Sequence, residues 1–245
     1  MIKFGITERG DAGLDLSWLQ NLQPANILIT KNLNDNFIQA LICAHQESKI
    51  ITHITCTGFG GKPVEKNVPT KEWTHQQVIK LLESGHFPVE QLVLRIDPIV
   101  PTDRGIQTAL SVLELFKDTG IKRVRYSFMD MYHHVKERFR QQGIPIPYET
   151  FSAPITMQKK AIYELSKYDE ENILYQYQFE SCAENTPHKL GCISEKDFKI
   201  LDIPNTEMMI KLKGQRSDCL CVGNKYELLT SRRQCDHKCS YCFWK

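Results

Sequence analysis

Three cysteines, Cys235, Cys239 and Cys242, stand at the spacing CxxxCxxC, with Tyr241 directly before the last. Three thiolates on one short loop can take three corners of a four-iron four-sulfur cluster, whereas a closed cluster or a structural zinc site normally takes four protein ligands. The fourth iron is then open to a small molecule. A second chemistry fits the same residues, because His237 lies inside the loop and could complete a zinc site of three cysteines and one histidine. The basic neighbours Arg232, Arg233, Lys238 and Lys245 suit a metal-thiolate centre or a surface tail equally.

Four more thiols, Cys182, Cys192, Cys219 and Cys221, are the right number for an auxiliary iron-sulfur cluster or a structural zinc. Long gaps separate them, so a shared site depends on the fold, with buried unliganded cysteine as the alternative. Cys43, on the apolar face of a helix, and Cys56, within a strand, read as core. Nine cysteines behind an amino end, Met1 to Thr7, that carries no export signal point to metal ligation or reactive thiols in a cytoplasmic protein. No apolar run reaches the length of a membrane span. With 31 Lys plus Arg against 29 Asp plus Glu, the net charge is +2 and the basic residues are scattered, which neither demands nor excludes a polyanionic partner.

A chain of 245 residues, 41% hydrophobic, can bury one substantial core. Residues 1–245 read as a single βα-barrel-like domain whose stretch 180–245 is a cysteine-rich carboxyl-terminal region. Apolar, β-rich runs at 2–7, 26–30, 51–57, 91–96, 122–127 and 172–179 read as strands, and 226–230 is a weaker seventh. Helical stripes lie between them: Ile106, Ala109, Leu110, Leu113 and Phe116 before a stop at Gly120; Trp73, Val78, Ile79, Leu81 and Leu82 before Gly85; and Phe37, Ile38, Leu41 and Ile42 behind a cap at Asp35. Further helices are expected near 14–22 and from Tyr132 to Gln142, and Gly58 to Pro69 reads as a long loop. This alternation predicts an α/β fold with parallel strands, a partial or complete βα barrel, against an open doubly wound sheet.

Barrels carry function where their strands end. That rule gathers Lys31, Asn32, Thr55, Thr57, Arg95, Asp97, Ser127, Asp130 and Glu184 at one mouth. A guanidinium at Arg95 can bind an anion and a carboxylate at Asp97 a hydroxyl, or the two can plug the interior as a pair, with Pro98 ending the strand. Tyr132, with His133 and His134, can shuttle a proton or hydrogen atom or simply open a helix, and Asp130 carries the same two readings.

The cysteine spacing, with an aromatic residue before its last thiol, resembles the signature of the radical SAM enzymes. That resemblance implies a four-iron four-sulfur cluster on Cys235, Cys239 and Cys242, S-adenosylmethionine chelated at the open iron, and a 5'-deoxyadenosyl radical made with an electron from a reductant such as flavodoxin or ferredoxin. Such enzymes usually carry the cluster loop after their first barrel strand. Here it comes last, which implies a circularly permuted order with 226–230 beside 2–7, bringing Thr7, Glu8, Arg9 and Asp11 next to the cluster. On this reading Glu8, Arg9, Lys31, Asn32, Thr55, Arg95, Asp97 and Ser127 bind the cofactor, and Asp130 and Tyr132 serve catalysis.

The chain also resembles the uncharacterised bacterial family called domain of unknown function 1848, whose members carry a radical SAM-like cysteine triplet at the carboxyl end. The matching stretches run in order: Thr30-Lys31-Asn32, Thr55-Cys56-Thr57-Gly58-Phe59-Gly60, Arg95-Ile96-Asp97-Pro98-Ile99, Ser127-Phe128-Met129-Asp130-Met131-Tyr132, Cys182-Ala183-Glu184, Gly191-Cys192-Ile193 and Cys219-Leu220-Cys221. The chain departs at Thr7-Glu8-Arg9-Gly10-Asp11, where the family tends to Ser-Arg-Arg-Thr-Asp, and at Lys225-Tyr226-Glu227, where it tends to Asp-Ile-Gly. The resemblance implies an enzyme without naming its substrate. The competing class is a non-enzymatic zinc- or iron-sulfur-binding module that recognises nucleic acid or protein.

Overall fold

A computed structural model describes residues 2–181, 184–204, 219–221, 224–231 and 234–244. Seven strands are present, β1 (Lys3–Ile6), β2 (Ala25–Thr30), β3 (Lys49–Thr55), β4 (Leu92–Ile99), β5 (Arg123–Phe128), β6 (Gln178–Ser181) and β7 (Asn224–Glu227). Every neighbouring pair is parallel, in the order β6-β5-β4-β3-β2-β1-β7. From β1 to β6 the order advances one strand at a time, and β7 joins on the far side of β1, with Lys3 opposite Asn224 and Ile6 opposite Glu227. β6 and β7 are the two edges of an open sheet, so among the described residues the complete barrel is not formed.

Because side chains alternate across a strand, each central strand feeds two cores. Leu28, Ile50, Ile54, Leu92, Leu94, Ile96, Val124 and Tyr126 belong to one. Their neighbours Ile27, Ile51 and Val93 join Phe4 and Ile6 in the other. The first core receives the apolar stripes of α1 (Asp35–Glu47), α2 (Lys71–Glu83), α3 (Asp103–Phe116), α4 (His133–Gln141) and α5 (Ile155–Glu171). The second is covered by α6 (Glu195–Ile200), through Phe198, Leu201 and Ile203. Above α6 this inner face turns polar: Arg123 and Arg125 bind Glu180 at 2.9 and 2.5 Å, and Arg123 also binds Asp197 at 2.8 Å. All four are buried, so each charge depends on its partners, and removing one partner costs about 3–5 kcal/mol.

Local chemistry sets the helix starts. Asn34, Thr70 and Thr102 cap α1, α2 and α3 by accepting the backbone N–H of Phe37, Trp73 and Gly105, and Ser194 and Asp197 form a capping box on α6. Asn34, not Asp35, is therefore the cap of α1. Several expectations shift. The run 172–179 is not one strand: Ile173–Tyr175 is a 3-10 turn and only Gln178–Ser181 pairs with β5. β4 runs past Pro98 to Ile99, with its register shifting between Ile96 and Ile99. A short 3-10 helix, Leu16–Gln20, stands where a longer helix was expected. The longest helix, α5, has no counterpart in the sequence reading, since its buried residues are few, notably Ala161 and Leu165. Cys43 is exposed, on the solvent side of α1, while Cys56 is buried as expected, just beyond β3. No helix among the described residues is long and apolar enough to cross a membrane.

Candidate functional site

One cavity of about 530 Å³ opens where the strands end. The loop after β1 supplies Glu8, Arg9 and Asp11; β2, β3, β4 and β5 deliver Lys31, Thr55, Arg95 with Asp97, and Ser127; Asp130, Tyr132 and Glu184 follow, and the tail adds Cys235, Cys239 and Cys242. Of the residues expected there, Asn32, Thr57 and Thr7 are not on the lining: the Asn32 N–H donates to Thr30 Oγ1 and its carbonyl backs against Gly13, Thr57 is buried on Glu65, and Thr7 accepts the Ile29 N–H. Cys182 lies outside the described residues, as do Arg232, Arg233 and Lys245. Cys192, Cys219 and Cys221 lie on the inner face away from this cavity.

The cysteine loop is held at many points. Within it, Lys238 turns the chain at a left-handed φ of 48°, its N–H donating to the Cys235 carbonyl at 3.1 Å. From outside, Ser240 N–H donates to the Val64 carbonyl at 2.9 Å, Asn67 donates to the Asp236 carbonyl at 3.1 Å, and Arg138 reaches the carbonyls of Cys239 and Cys242. His237 is buried and places Nδ1 3.0 Å from the Asn67 carbonyl and Nε2 3.0 Å from Asp11 Oδ2. Both partners accept, so both ring nitrogens carry hydrogen and the ring is an imidazolium. Burial alone would lower its pKa, but the hydrogen bond and charge of Asp11 outweigh that and hold it above the usual histidine range. Asp11 answers in kind: burial raises its carboxyl, the His237 bond and charge lower it further, and Thr30 and the Lys31 N–H add to the lowering.

Tyr241 is tied beneath the same loop. Its hydroxyl donates to Glu65 and accepts from Lys31 Nζ at 2.9 Å, while Lys31 binds Glu65 at 2.8 Å and lies 5.5 Å from the centre of the Tyr241 ring. Thr57 completes the network with a 2.6 Å bond to the other Glu65 oxygen. Burial, with Glu65 and Cys239 nearby, drives the Tyr241 hydroxyl far above its ordinary range. Lys31 stays charged because Glu65 outweighs the cost of burying it. Burial likewise pushes Cys239 up to about 12 and raises Cys235. A metal binding here must therefore release thiol protons, and the Lys31 ammonium offsets the charge left behind.

The opposite half of the cavity is carboxylate-rich. Arg95 Nε binds Asp97 at 2.5 Å, and Ser127 donates to the other Asp97 oxygen. The Arg95-Asp97 pair is thus formed, and both residues line the cavity. Glu184 accepts from the Phe128 N–H at 2.9 Å; burial, then Asp130 and Asp97, raise its carboxyl. Tyr132 stacks on His134 at 5.4 Å and meets Phe151 edge-on at 4.9 Å, and Phe243 and Trp244 form a second aromatic pair on the lining.

Two carboxylates that do much of the holding were not singled out from the sequence. Glu65 is the only acid between Gly58 and Pro69, and that isolation in a long loop over strand ends is a signal that could have marked it. Glu227, at the end of β7, accepts the backbone N–H groups of Glu8 and Arg9, both at 3.1 Å, and so shapes the loop after β1. Its partners lie more than two hundred residues away, beyond any local pattern.

The three cysteines share one wall, close enough to influence one another's ionisation, while both His237 nitrogens are committed elsewhere. Among the described residues no three His, Cys, Asp or Glu side chains converge on a single point as the ligands of one ion would. The chain belongs to the family described as a domain of unknown function (DUF1848), whose model matches residues 20–244. No curated protein matches it.

Proposed function

We propose that this chain is a radical SAM-type enzyme, built on a partial βα barrel whose order is circularly permuted, with Cys235, Cys239 and Cys242 as cluster ligands. The observation that carries the reading is that these three thiols share a cavity with the polar ends of β2 to β5, while the only histidine between them is turned onto Asp11. The unreversed strand order from β1 to β6 and the packing of α1 to α5 on one face fit a barrel segment better than a doubly wound sheet, whose order reverses at a switch point. The parallel pairing of β7 with β1 agrees with the permuted order.

When bound, a four-iron four-sulfur cluster with one open iron supplies the electron that cleaves S-adenosylmethionine to a 5'-deoxyadenosyl radical. The protein's own residues bind and orient. Arg9, Lys31 and Arg95 bring positive charge to the lining, suited to a carboxylate, and Glu8 brings negative charge suited to an ammonium. Thr55, Asp97 and Ser127 offer hydroxyl and carboxylate partners for a ribose. Asp130, Glu184 and Tyr132 face the remaining volume, where the substrate enters, and Phe151, Phe243 and Trp244 keep water from its rim. A reductant such as flavodoxin or ferredoxin provides the electron, in a reducing, cytoplasmic setting.

The test is anaerobic reconstitution with iron and sulfide, then dithionite and S-adenosylmethionine, with 5'-deoxyadenosine measured. Formation is expected, with a loss of at least about a hundredfold in Cys239→Ala. An intact cluster that neither binds S-adenosylmethionine nor yields 5'-deoxyadenosine overturns the reading.

A further inference from the structure

The charges on the cavity lining are unevenly matched. Three of its cations already have carboxylate partners: Lys31 binds Glu65 at 2.8 Å, Nε2 of His237 lies 3.0 Å from Asp11, and Arg95 binds Asp97 at 2.5 Å. Glu184 is answered differently. It is half-buried, and among the described residues its hydrogen bond is with the backbone N–H of Phe128, which donates to Oε1 at 2.9 Å and carries no charge. Burial raises its carboxyl, the Phe128 bond lowers it in part, Asp130 and Asp97 raise it further, and no cation opposes them. The end of β5 gathers these acids: Ser127 donates to Asp97, its neighbour Phe128 to Glu184, and Asp130 follows on the same lining. A partly desolvated carboxylate without a counter-charge is costly, and a cation that arrives with the substrate removes that cost.

The walls around these acids suit an organic cation. Tyr132, stacked on His134 at 5.4 Å, meets Phe151 edge-on at 4.9 Å, and the ring centres of Phe243 and Trp244 lie 5.1 Å apart. Phe151 and Phe243 stay about half exposed on the lining, and ring faces open to a cavity attract ammonium groups. Among the described residues the acids do not converge on one point as the ligands of a metal ion would. We infer that the substrate presents an organic ammonium, taken up by Glu184 and Asp130 between the aromatic side chains of the lining. This deepens the enzyme reading, on which it rests for the chemistry, by naming the class of molecule that enters the same cavity. A free amine and a lysine side chain of a peptide share the group.

Amine binding needs neither a cluster nor S-adenosylmethionine, so the full-length chain as purified is titrated with benzylamine, benzyl alcohol and benzoate, which share a ring and differ in charge, with binding read by NMR. Benzylamine should bind at least about tenfold more tightly than either of the others. Glu184→Gln keeps an oxygen for the Phe128 N–H and removes the charge, so at an unchanged melting temperature it should weaken benzylamine about tenfold. Phe151→Ala with Phe243→Ala, at positions half open to solvent, should weaken it severalfold. Spermidine and an acetylated, amidated lysine then separate the two sources, the tighter ligand naming the source. The inference is overturned if benzyl alcohol or benzoate binds as tightly as benzylamine, if no amine binds, or if Glu184→Gln leaves the affinity unchanged. Formation of 5'-deoxyadenosine is measured separately: amine binding without it removes only the enzyme reading, and 5'-deoxyadenosine without amine binding removes only the ammonium substrate.

Discussion

His237 gives its ring to Asp11 and to the Asn67 carbonyl, and so anchors the turn between Cys235 and Cys239. His237→Gln follows as a discriminating substitution. The amide can keep one of the two hydrogen bonds, so unfolding free energy should fall by about 1–3 kcal/mol, while iron content after reconstitution stays within the range of the parent. Were this histidine a zinc ligand, the same change would strip the metal, and metal analysis beside a thermal melt separates the outcomes. At this scale the sequence was most readable for chemistry that is local. The CxxxCxxC spacing marked its loop at once, but nothing within a few residues of Glu65 or Glu227 announced their partners.

Between elements, the seam of β7, β1 and β2 decides where the cysteine loop falls. Gly5 lies in the middle strand of that seam, and a Cβ there would come 2.3 Å from Asn26 Oδ1 and 2.6 Å from Leu228 Cδ2. Asn26 is fixed by bonds with the backbone of Gln23, so it cannot simply swing away. Gly5→Ala should therefore cost about 1–3 kcal/mol as an overpacked substitution. The strain should also loosen β7. Circular dichroism melts would measure the first effect, and faster amide exchange in 224–229 than in β3 would report the second; an unshifted melting temperature would show that the seam tolerates the methyl. The sequence placed most strands within a few residues because apolar β-rich runs are buried on both faces of a parallel sheet. It missed α5, whose outward faces hide a weak stripe, and it merged a 3-10 turn with the start of β6, because Ile173, Tyr175, Tyr177 and Phe179 run on in one apolar and aromatic series that ends inside the strand.

For the molecule as a whole, the buried charges on the inner face make stability depend on acid. Burial would raise the Glu180 carboxyl, but Arg123 and Arg125 hold it down at about 2, from an unperturbed 4.5. A carboxylate depressed in the folded state stabilises fully above its unfolded value, and the contribution disappears as pH drops through the folded value. Unfolding free energy should therefore decline between about pH 4.5 and 2 by on the order of 3 kcal/mol from this group. Glu180→Gln should be less stable at neutral pH and should flatten that slope; a parallel pH dependence in the two proteins would contradict the assignment. Hydrogen exchange should be slowest in β2 to β5, which have neighbours on both sides, and fastest in the edge strands β6 and β7; uniform exchange across the sheet would count against that ordering. By itself the sequence determined the α/β alternation, the strand ends as the place for polar residues, and the thiol loop, since each is written in short-range periodicity or spacing. The order implied by the resemblance had already set 226–230 beside 2–7, as β7 and β1 pair; only the tertiary structure decided that His237 faces Asp11, that Lys31, Glu65 and Tyr241 form one network, and that the sheet stays open among the described residues. Those contacts join segments far apart in the chain, and burial in a shared low-dielectric interior is what makes each charge choose its partner.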